Sequence, residues 1–429
     1  MVRPLPQTTY NLRVMDNSIE KQLLGRANPF GQGQNVVFPD YEGYCISNIP
    51  SLISSILELP SDSSPITKLG DPFRGYERIV FLVLDGFGYR KAQTLFKEFP
   101  NSALKELGET GCQEPITSVY PSTTVAALTS LSTGLTPLEH GMIGYRLYLR
   151  ETASITNMIR FSTIGNSRND SAFDIGLDRD AVIPLPTVHE QLDVQGIAAH
   201  AVLPAFIANS GLSTALYRGC TNLHSAASLP HMLVKTREIL QASHDKTFVS
   251  LYWPGLDAVG HGLGPNSESY RAEFCAVDDA IRRGLVGQME DTLLIVTADH
   301  GFVPMRPEDY LLLDGEFDAR RALLMPPVGE PRASYLYARQ GEADAIRQAF
   351  DKPRDDGLIC VESDEMVKSG LLGIRSPHRQ VEHRIGDLAL LSTGTHGVFQ
   401  DYPDAAILRG MHGGLTEDEM LVPLIIAPL

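Results

Sequence analysis

The sequence predicts an α/β fold: a mainly parallel sheet with helices on both faces, plus a small α+β cap inserted late in the chain. Three observations predict it. The runs 79–84, 247–253 and 292–298 are short and almost wholly apolar, as strands buried on both faces are. Helix-length amphipathic stretches separate such runs, giving a βαβ rhythm that needs crossover connections and therefore parallel pairing. Residues 305–385 break the rhythm and read as a unit of their own.

Taken in order, residues 1–77 form an irregular arm rich in Pro, Asn and Gly, in which 49–59 reads as a short helix and 61–75 as a loop. The strand 79–84 leads into a helix over 90–107, and a second helix over 125–132 follows. Later strands are expected at 197–202, 214–217, 247–253, 292–298, 387–391 and 422–426, with helices over 227–242 and 267–285. Residues 142–180, rich in Arg, Asn, Ser and Thr, read as a loop or lid whose Tyr145, Arg146, Tyr148, Arg150, Asn157 and Arg160 could reach a substrate. Within 305–385 a strand at 333–338, a helix over 342–350 and a strand at 357–361 are expected. The resulting division is an arm (1–77), a catalytic core (78–304 with 386–429) and a cap (305–385), with no internal repeat.

The residues that carry chemistry sit where these strands stop. Asp299-His300-Gly301 ends the third apolar run, placing a carboxylate and an imidazole at a turn where both can open toward one cluster. Asp85 ends the first run and is followed by Gly86-Phe87-Gly88, a turn that lets backbone approach an ion or phosphate. Asp257 and His261 follow the second run at helical spacing, so one turn aims both the same way. His412 precedes the last strand, and Thr416 with Glu419 forms a capping-box pattern just after it. Three aspartates and three histidines mix hard oxygen and borderline nitrogen donors, which suits zinc, and after it manganese or iron. Taken singly, a strand-end Asp is more often a cap or turn residue; jointly, at the carboxyl edge of one sheet, the six read as a metal site. His396 is the rival to His412.

These motifs resemble the alkaline phosphatase superfamily, and most closely its type I phosphodiesterase/nucleotide pyrophosphatase branch, with phosphonoacetate hydrolase as a near relative. The resemblance rests on VLDGFG at Asp85, GLDAVGHGLGP at Asp257 and His261, TADHG at Asp299 and His300, and MHGGLTEDEMLVPLII at His412. It also takes in YPSTTVAALTSLSTGLTPLEHG, residues 120–141, as the nucleophile segment, and so runs from residue 79 to the C-terminus. It implies an alkaline-phosphatase-like core and two divalent ions, one held by Asp257, His261 and His412 and the other by Asp85, Thr124, Asp299 and His300. Among the consecutive hydroxyls Ser122, Thr123 and Thr124, the family pattern selects Thr124 as nucleophile, with Thr123 as fallback. The chain carries Ala127 where the resemblance leads one to expect an asparagine, so a phosphoryl-oxygen donor would come from elsewhere, with Asn157 and Arg160 as candidates. The implied activity is hydrolysis of small phosphodiesters or nucleotide pyrophosphates through a phosphothreonine intermediate. A phosphomonoesterase, phosphonate hydrolase or phosphomutase is the alternative, and a non-catalytic metal-bound binding protein the less favoured one.

Composition fits that expectation. The formal net charge of −16, with no basic block, argues against a nucleic-acid polymer as partner and leaves small phosphate esters or nucleotides as substrates. No apolar run reaches the length of a membrane span, and residues 1–10 lack a signal-peptide core, so a cytoplasmic enzyme without a membrane partner is expected. Five scattered cysteines without Cys-x-x-Cys spacing read as reduced thiols.

Overall fold

The computed structural model describes residues 18–30, 36–60, 64–183, 185–243, 245–313, 318–350, 357–399 and 408–429. The readings made on residues 1–17 and on 61–63 lie outside them. A seven-stranded sheet organises the core. Its strands run in the spatial order Cys112–Thr117, Leu421–Pro428, Thr292–Thr297, Arg78–Leu84, Thr247–Trp253, Ala198–Pro204, Asn222–Ala226. From Thr292–Thr297 through to Asn222–Ala226 all neighbours pair parallel. Leu421–Pro428 is antiparallel to both Cys112–Thr117 and Thr292–Thr297, so Cys112–Thr117 shares the common direction. Helices flank the sheet: Tyr89–Glu98 and Ala103–Thr110 pack on Leu421–Pro428, while Val188–Asp193 and Leu229–Ala242 pack on Ala198–Pro204. The central strands are buried along their length, which is why they read as continuous apolar runs.

A second seven-stranded sheet forms the cap, in the order Leu358–Glu362, Leu388–Ser392, Ala333–Leu336, Val328–Glu330, Arg146–Leu149, Ser154–Asn157, Ser162–Thr163. All its pairs are antiparallel. Two expectations are corrected here. Residues 142–180 are not a plain lid, because they contribute three of these strands. Arg146–Leu149 alternates exposed and buried, so Leu147 and Leu149 point inward behind charged neighbours that masked the pattern. Residues 387–391 were assigned to the core, but Leu388–Ser392 pairs with Ala333–Leu336 and Leu358–Glu362, so the division at 386 does not follow the sheets. Both faces of that strand are covered: Leu388 and Leu390 pack with Ile346 and Phe350, whereas Ala389 and Leu391 join the main core. A strand buried on two faces looks the same in sequence whichever sheet it belongs to.

Three smaller differences have local causes. Residues 214–217 lie not in a strand but in and just after the helix Gly211–Leu216, whose Ser210 side chain caps the Ser213 N–H. The strand is Asn222–Ala226, a half-exposed sheet edge that needs no apolar run. The helix expected over 90–107 is two helices interrupted around Pro100, the second begun by the Asp278 carboxylate accepting from the Ala103 and Leu104 N–H groups.

Candidate active site

Parallel pairing puts the carboxyl ends of the strands at one edge of the core sheet. Asp85 directly follows Arg78–Leu84, Asp257 follows Thr247–Trp253, and Asp299 follows Thr292–Thr297, on three adjacent strands. Cys112–Thr117 ends at the same edge and feeds the helix Thr124–Thr133. Leu421–Pro428 starts there because it is reversed, which brings His412 in from the far end of the chain. Two turns need glycine: Gly86 has φ +75°, and a Cβ on Gly301 would lie 2.0 Å from the Asp418 carbonyl oxygen.

The six residues and Thr124 converge. Asp85, Asp299 and His300 present ligand atoms within 4.8 Å of one another, and so do Asp257, His300 and His412. His261 Nε2 lies 3.1 Å from His412 Nε2 and 3.4 Å from Asp257 Oδ1. His300 Nε2 lies 3.3 Å from the Thr124 hydroxyl and 3.4 Å from Asp85 Oδ1. The His300 and His412 rings stack at 3.6 Å between centroids, and Phe302 stands edge-on to all three imidazoles.

Hydrogen bonding sorts the donor atoms in a way that fits metal ions. Each imidazole places Nδ1 beside a backbone carbonyl: His261 at Gly410 O (3.0 Å), His300 at Gly301 O (3.1 Å), His412 at Ser122 O (3.0 Å). Donation from Nδ1 leaves three Nε2 lone pairs facing the cluster. The aspartates divide their oxygens similarly. Asp85 Oδ2 accepts from the Tyr252 hydroxyl while Oδ1 is buried without a partner. Asp299 Oδ1 accepts from the Gly86 and His300 N–H groups while Oδ2 is buried without one. Asp257 Oδ1 is likewise unpartnered. Buried bare carboxylate oxygens are costly, and cations among them would remove the cost. Burial, then the neighbouring Asp257 and Asp299, pushes the Asp85 carboxyl well up from its usual range; burial also raises Asp257. His412 is pushed well down by burial and by His300 and His261. The protein alone strains to keep this charge, and what it lacks is positive.

The three adjacent hydroxyls go to three different places. Ser122 donates to the Gly414 carbonyl (2.9 Å), Thr123 to Glu330 Oε1 (2.5 Å), and Thr124 faces His300. Thr124 is also the first residue of its helix. The first bond of the helix runs from the Ala127 N–H to the Thr123 carbonyl, so the N–H groups of Thr124, Val125 and Ala126 precede it, an arrangement that favours anions.

The model of the type I phosphodiesterase / nucleotide pyrophosphatase family matches residues 79–414. The chain belongs to this family. Solved structures with the same fold include murine ectonucleotide pyrophosphatase / phosphodiesterase 5 (TM-score 0.62, 16% identity, 81% of this chain and 87% of that one). Another is phosphonoacetate hydrolase from Sinorhizobium meliloti 1021, in complex with phosphonoformate (TM-score 0.60, 18% identity, 81% and 89%). A phosphopentomutase from Pseudoalteromonas translucida is 33% identical over 92 residues, which span 21% of this chain and 22% of that one. Family membership supports a phosphoryl-transfer hydrolase, and the clustered carboxylates and imidazoles are groups that could hold metal.

For this phosphodiesterase-family chain, several contributors to the site were invisible in the sequence. Glu330 arrives from the cap and its carboxyl is pushed up to about 7 by burial, partly offset by the Thr123 and Tyr145 hydrogen bonds. Tyr252, Phe302, Ser118 and Ser122 hold Asp85, the imidazoles, the Asp299 carbonyl and the His412 loop respectively. Only Tyr252 carried a signal, since it sits on a strand one residue before the edge. Ala127 is fully buried and joins the main core cluster. Asn157 spends its amide on the Tyr145 hydroxyl and on the N–H groups of Ile159 and Arg160. His396 stands in neither ligand cluster among the described residues, and its carbonyl serves Arg332. No described helix is long and apolar enough to cross a membrane, and Cys45, Cys112, Cys220 and Cys275 are free thiols.

Proposed function

We propose that the chain is a two-metal phosphoryl-transfer hydrolase of small phosphodiesters or nucleotide pyrophosphates, with Thr124 as nucleophile and a phosphothreonine intermediate. The sorting of the hydroxyls carries the proposal: Ser122 and Thr123 are committed to Gly414 and Glu330, while Thr124 faces the cluster at a helix N-terminus. A threonine-to-alanine form of the murine relative is described as inactive and in complex with AMP, and the same dependence on a threonine is proposed for Thr124. Asp257, His261 and His412 would hold one ion and Asp85, Asp299, His300 and Thr124 the other, with zinc favoured by the donor mixture and manganese or iron next. When bound, the ions supply the positive charge that makes a threonine alkoxide and an anionic phosphoryl group affordable together.

The chain's own groups do the rest. With His300 Nε2 and Thr124 Oγ1, 3.3 Å apart, both turned to the same ion, the Thr124 hydroxyl would lose its proton to solvent and its oxygen would attack phosphorus. A bond forms between Oγ1 and phosphorus while the bond to the leaving oxygen breaks. The first-turn N–H groups lie where nonbridging oxygens gather charge. Water then cleaves the Oγ1–phosphorus bond and restores the hydroxyl. The match to a phosphopentomutase favours one second reading, in which another hydroxyl takes the phosphoryl group instead of water.

Hydrolysis of p-nitrophenyl phosphate, bis-p-nitrophenyl phosphate and a p-nitrophenyl phenylphosphonate by zinc- and manganese-loaded protein tests the proposal. Diester or phosphonate-ester preference, abolished in Thr124→Ala, is the expected result. Monoester preference moves the assignment to a phosphatase or mutase, and turnover retained in Thr124→Ala ends the phosphothreonine mechanism.

A further inference from the structure

Outside the cluster of aspartates and histidines, one short hairpin of the cap carries two buried charged residues, Glu330 and Arg332. Val328–Glu330 and Ala333–Leu336 pair with Glu330 opposite Ala333, so Pro331 and Arg332 form the turn between them. Glu330 ends the first strand and Arg332 lies in the turn, and both side chains bond residues of the core. Glu330 Oε1 accepts from the Thr123 hydroxyl (2.5 Å) and from the Tyr145 N–H (2.8 Å). Arg332 is fully buried and grips the equally buried Glu419 with a two-point fork, Nε to Oε1 at 2.6 Å and Nη2 to Oε2 at 2.8 Å. Its remaining donors hold the carbonyls of Gly394 (2.5 Å) and His396 (3.0 Å).

What the two prongs touch decides their meaning. Thr123 is the residue immediately before Thr124, and its carbonyl accepts the first bond of that helix. Glu419 in turn accepts from the Gly414 N–H (2.8 Å) and the Thr416 hydroxyl (2.6 Å), and its own carbonyl accepts from the Gly301 N–H (2.9 Å). Glu419 therefore fixes the backbone beside His412 and the backbone beside His300 at once. A Cβ at Gly414 would lie 2.9 Å from both Arg332 Nη2 and Glu419 Oε2, so the loop closes tightly over this pair.

We infer that Glu330 and Arg332 are positioning residues, through which one cap hairpin sets the nucleophile helix on one side and the His412 and His300 loops on the other. The inference rests on the proposed two-metal reading. It makes the cap part of the site's geometry, not a cover attached to it. An ion pair with both members fully buried is a poor source of net stability, yet breaking it by halves is expensive, which suits a part whose task is register. Glu330 governs where the Thr124 oxygen lies. Arg332, acting through Glu419, governs where the His412 and His300 imidazoles lie.

The two prongs predict separable effects. Zinc titration calorimetry and steady-state hydrolysis of bis-p-nitrophenyl phosphate are run on wild type, Glu330→Leu, Glu330→Gln and Arg332→Lys, with a thermal melt of each. Glu330→Leu lowers kcat by roughly tenfold to a hundredfold with zinc affinities unchanged, since misplacing a reacting atom acts on the chemical step. Glu330→Gln keeps an acceptor for Thr123 and recovers most of that loss. Arg332→Lys keeps the charge but not the fork, and weakens zinc at one site by roughly tenfold to a hundredfold. Should Arg332→Lys not fold, Arg332→Met combined with Glu419→Gln removes the charge pair while leaving Gly414 its acceptor, and the same weakening is expected. Folded variants with wild-type kcat and zinc affinities overturn the inference, as does a parallel fall of both readouts with melting temperature, which marks a merely structural role. Wild-type protein that binds no zinc or cleaves no phosphoester overturns the two-metal reading and this inference with it, before any variant is compared.

Discussion

Acid tests the placement of His140. Its Nδ1 accepts from the Met142 N–H (3.0 Å), so its proton sits on Nε2, 3.0 Å from the Ser130 hydroxyl on the nucleophile helix. A second proton would break the Met142 bond and charge a ring that is 1% exposed. Burial, with His378 and Arg384 nearby, pushes this imidazole down from 6.5 to about 3. The sign follows from proton counting. Between those values the unfolded chain binds a proton that the folded one refuses, so stability present above pH 6.5 drains away as pH falls. One pH unit within that window costs about 1.4 kcal/mol, so taking the protein from pH 7 to pH 4.5 removes about 3 kcal/mol through His140. His140→Gln keeps a polar group without a titrating one. Urea unfolding of both proteins at the two pH values isolates the effect, because other titrating groups, the clustered aspartates and histidines included, act equally on each. Wild type should lose about 3 kcal/mol more than the variant over the interval. Equal losses would refute the buried, neutral imidazole and the hydrogen-bond directions argued from it.

Other outcomes bear on the cluster itself. Thr123→Val should still form a phosphothreonine, detected by mass spectrometry after acid quench with substrate, whereas Thr124→Ala should not; label on Thr123 would reverse the assignment. Tyr252→Phe removes the donor to Asp85 Oδ2 and should weaken metal binding by roughly tenfold without unfolding the chain, as read by calorimetry. Stripping the protein with a chelator should abolish turnover and lower its melting temperature, because the unpartnered carboxylate oxygens then face one another uncompensated, and zinc should restore both.

The convergence of the aspartates and histidines was legible because central parallel strands advertise themselves. Residues 79–84, 247–253 and 292–298 are apolar on both faces, so the first polar residue after each run marks the sheet edge where Asp85, Asp257 and Asp299 stand. Strands at sheet margins gave no such signal. Asn222–Ala226 is half-exposed, and Cys112–Thr117 is only half-buried over its first three residues, two of them polar, so neither shows an apolar run. The hairpin strands of the cap near residue 146 were lost for the same reason, with Arg146 and Arg150 outward and leucines inward. Glu330 and Arg332 were beyond reach on other grounds. Each acts on a partner far away in the chain, Thr123 and Glu419, and nothing local to a Glu-Pro-Arg turn says what it will meet.

The reversed strand explains why the cap meets the site at all. Asp85, Asp257 and Asp299 reach one edge because their strands run the same way and stop there. A residue that precedes its strand reaches that edge only if the strand runs backward, and Leu421–Pro428 does. Everything between His300 and His412 must therefore leave the edge and come back to it. The chain fastens the two ends together with a short antiparallel pair, Val303 opposite Met411 and Pro304 opposite Gly410. Any insertion between those points begins and ends beside the ligands, whatever its own fold. A cap rooted there can reach both Thr123, the residue before Thr124, and Glu419, which holds the Gly414 N–H near His412, through one hairpin: Glu330 bonds the first and Arg332 the second.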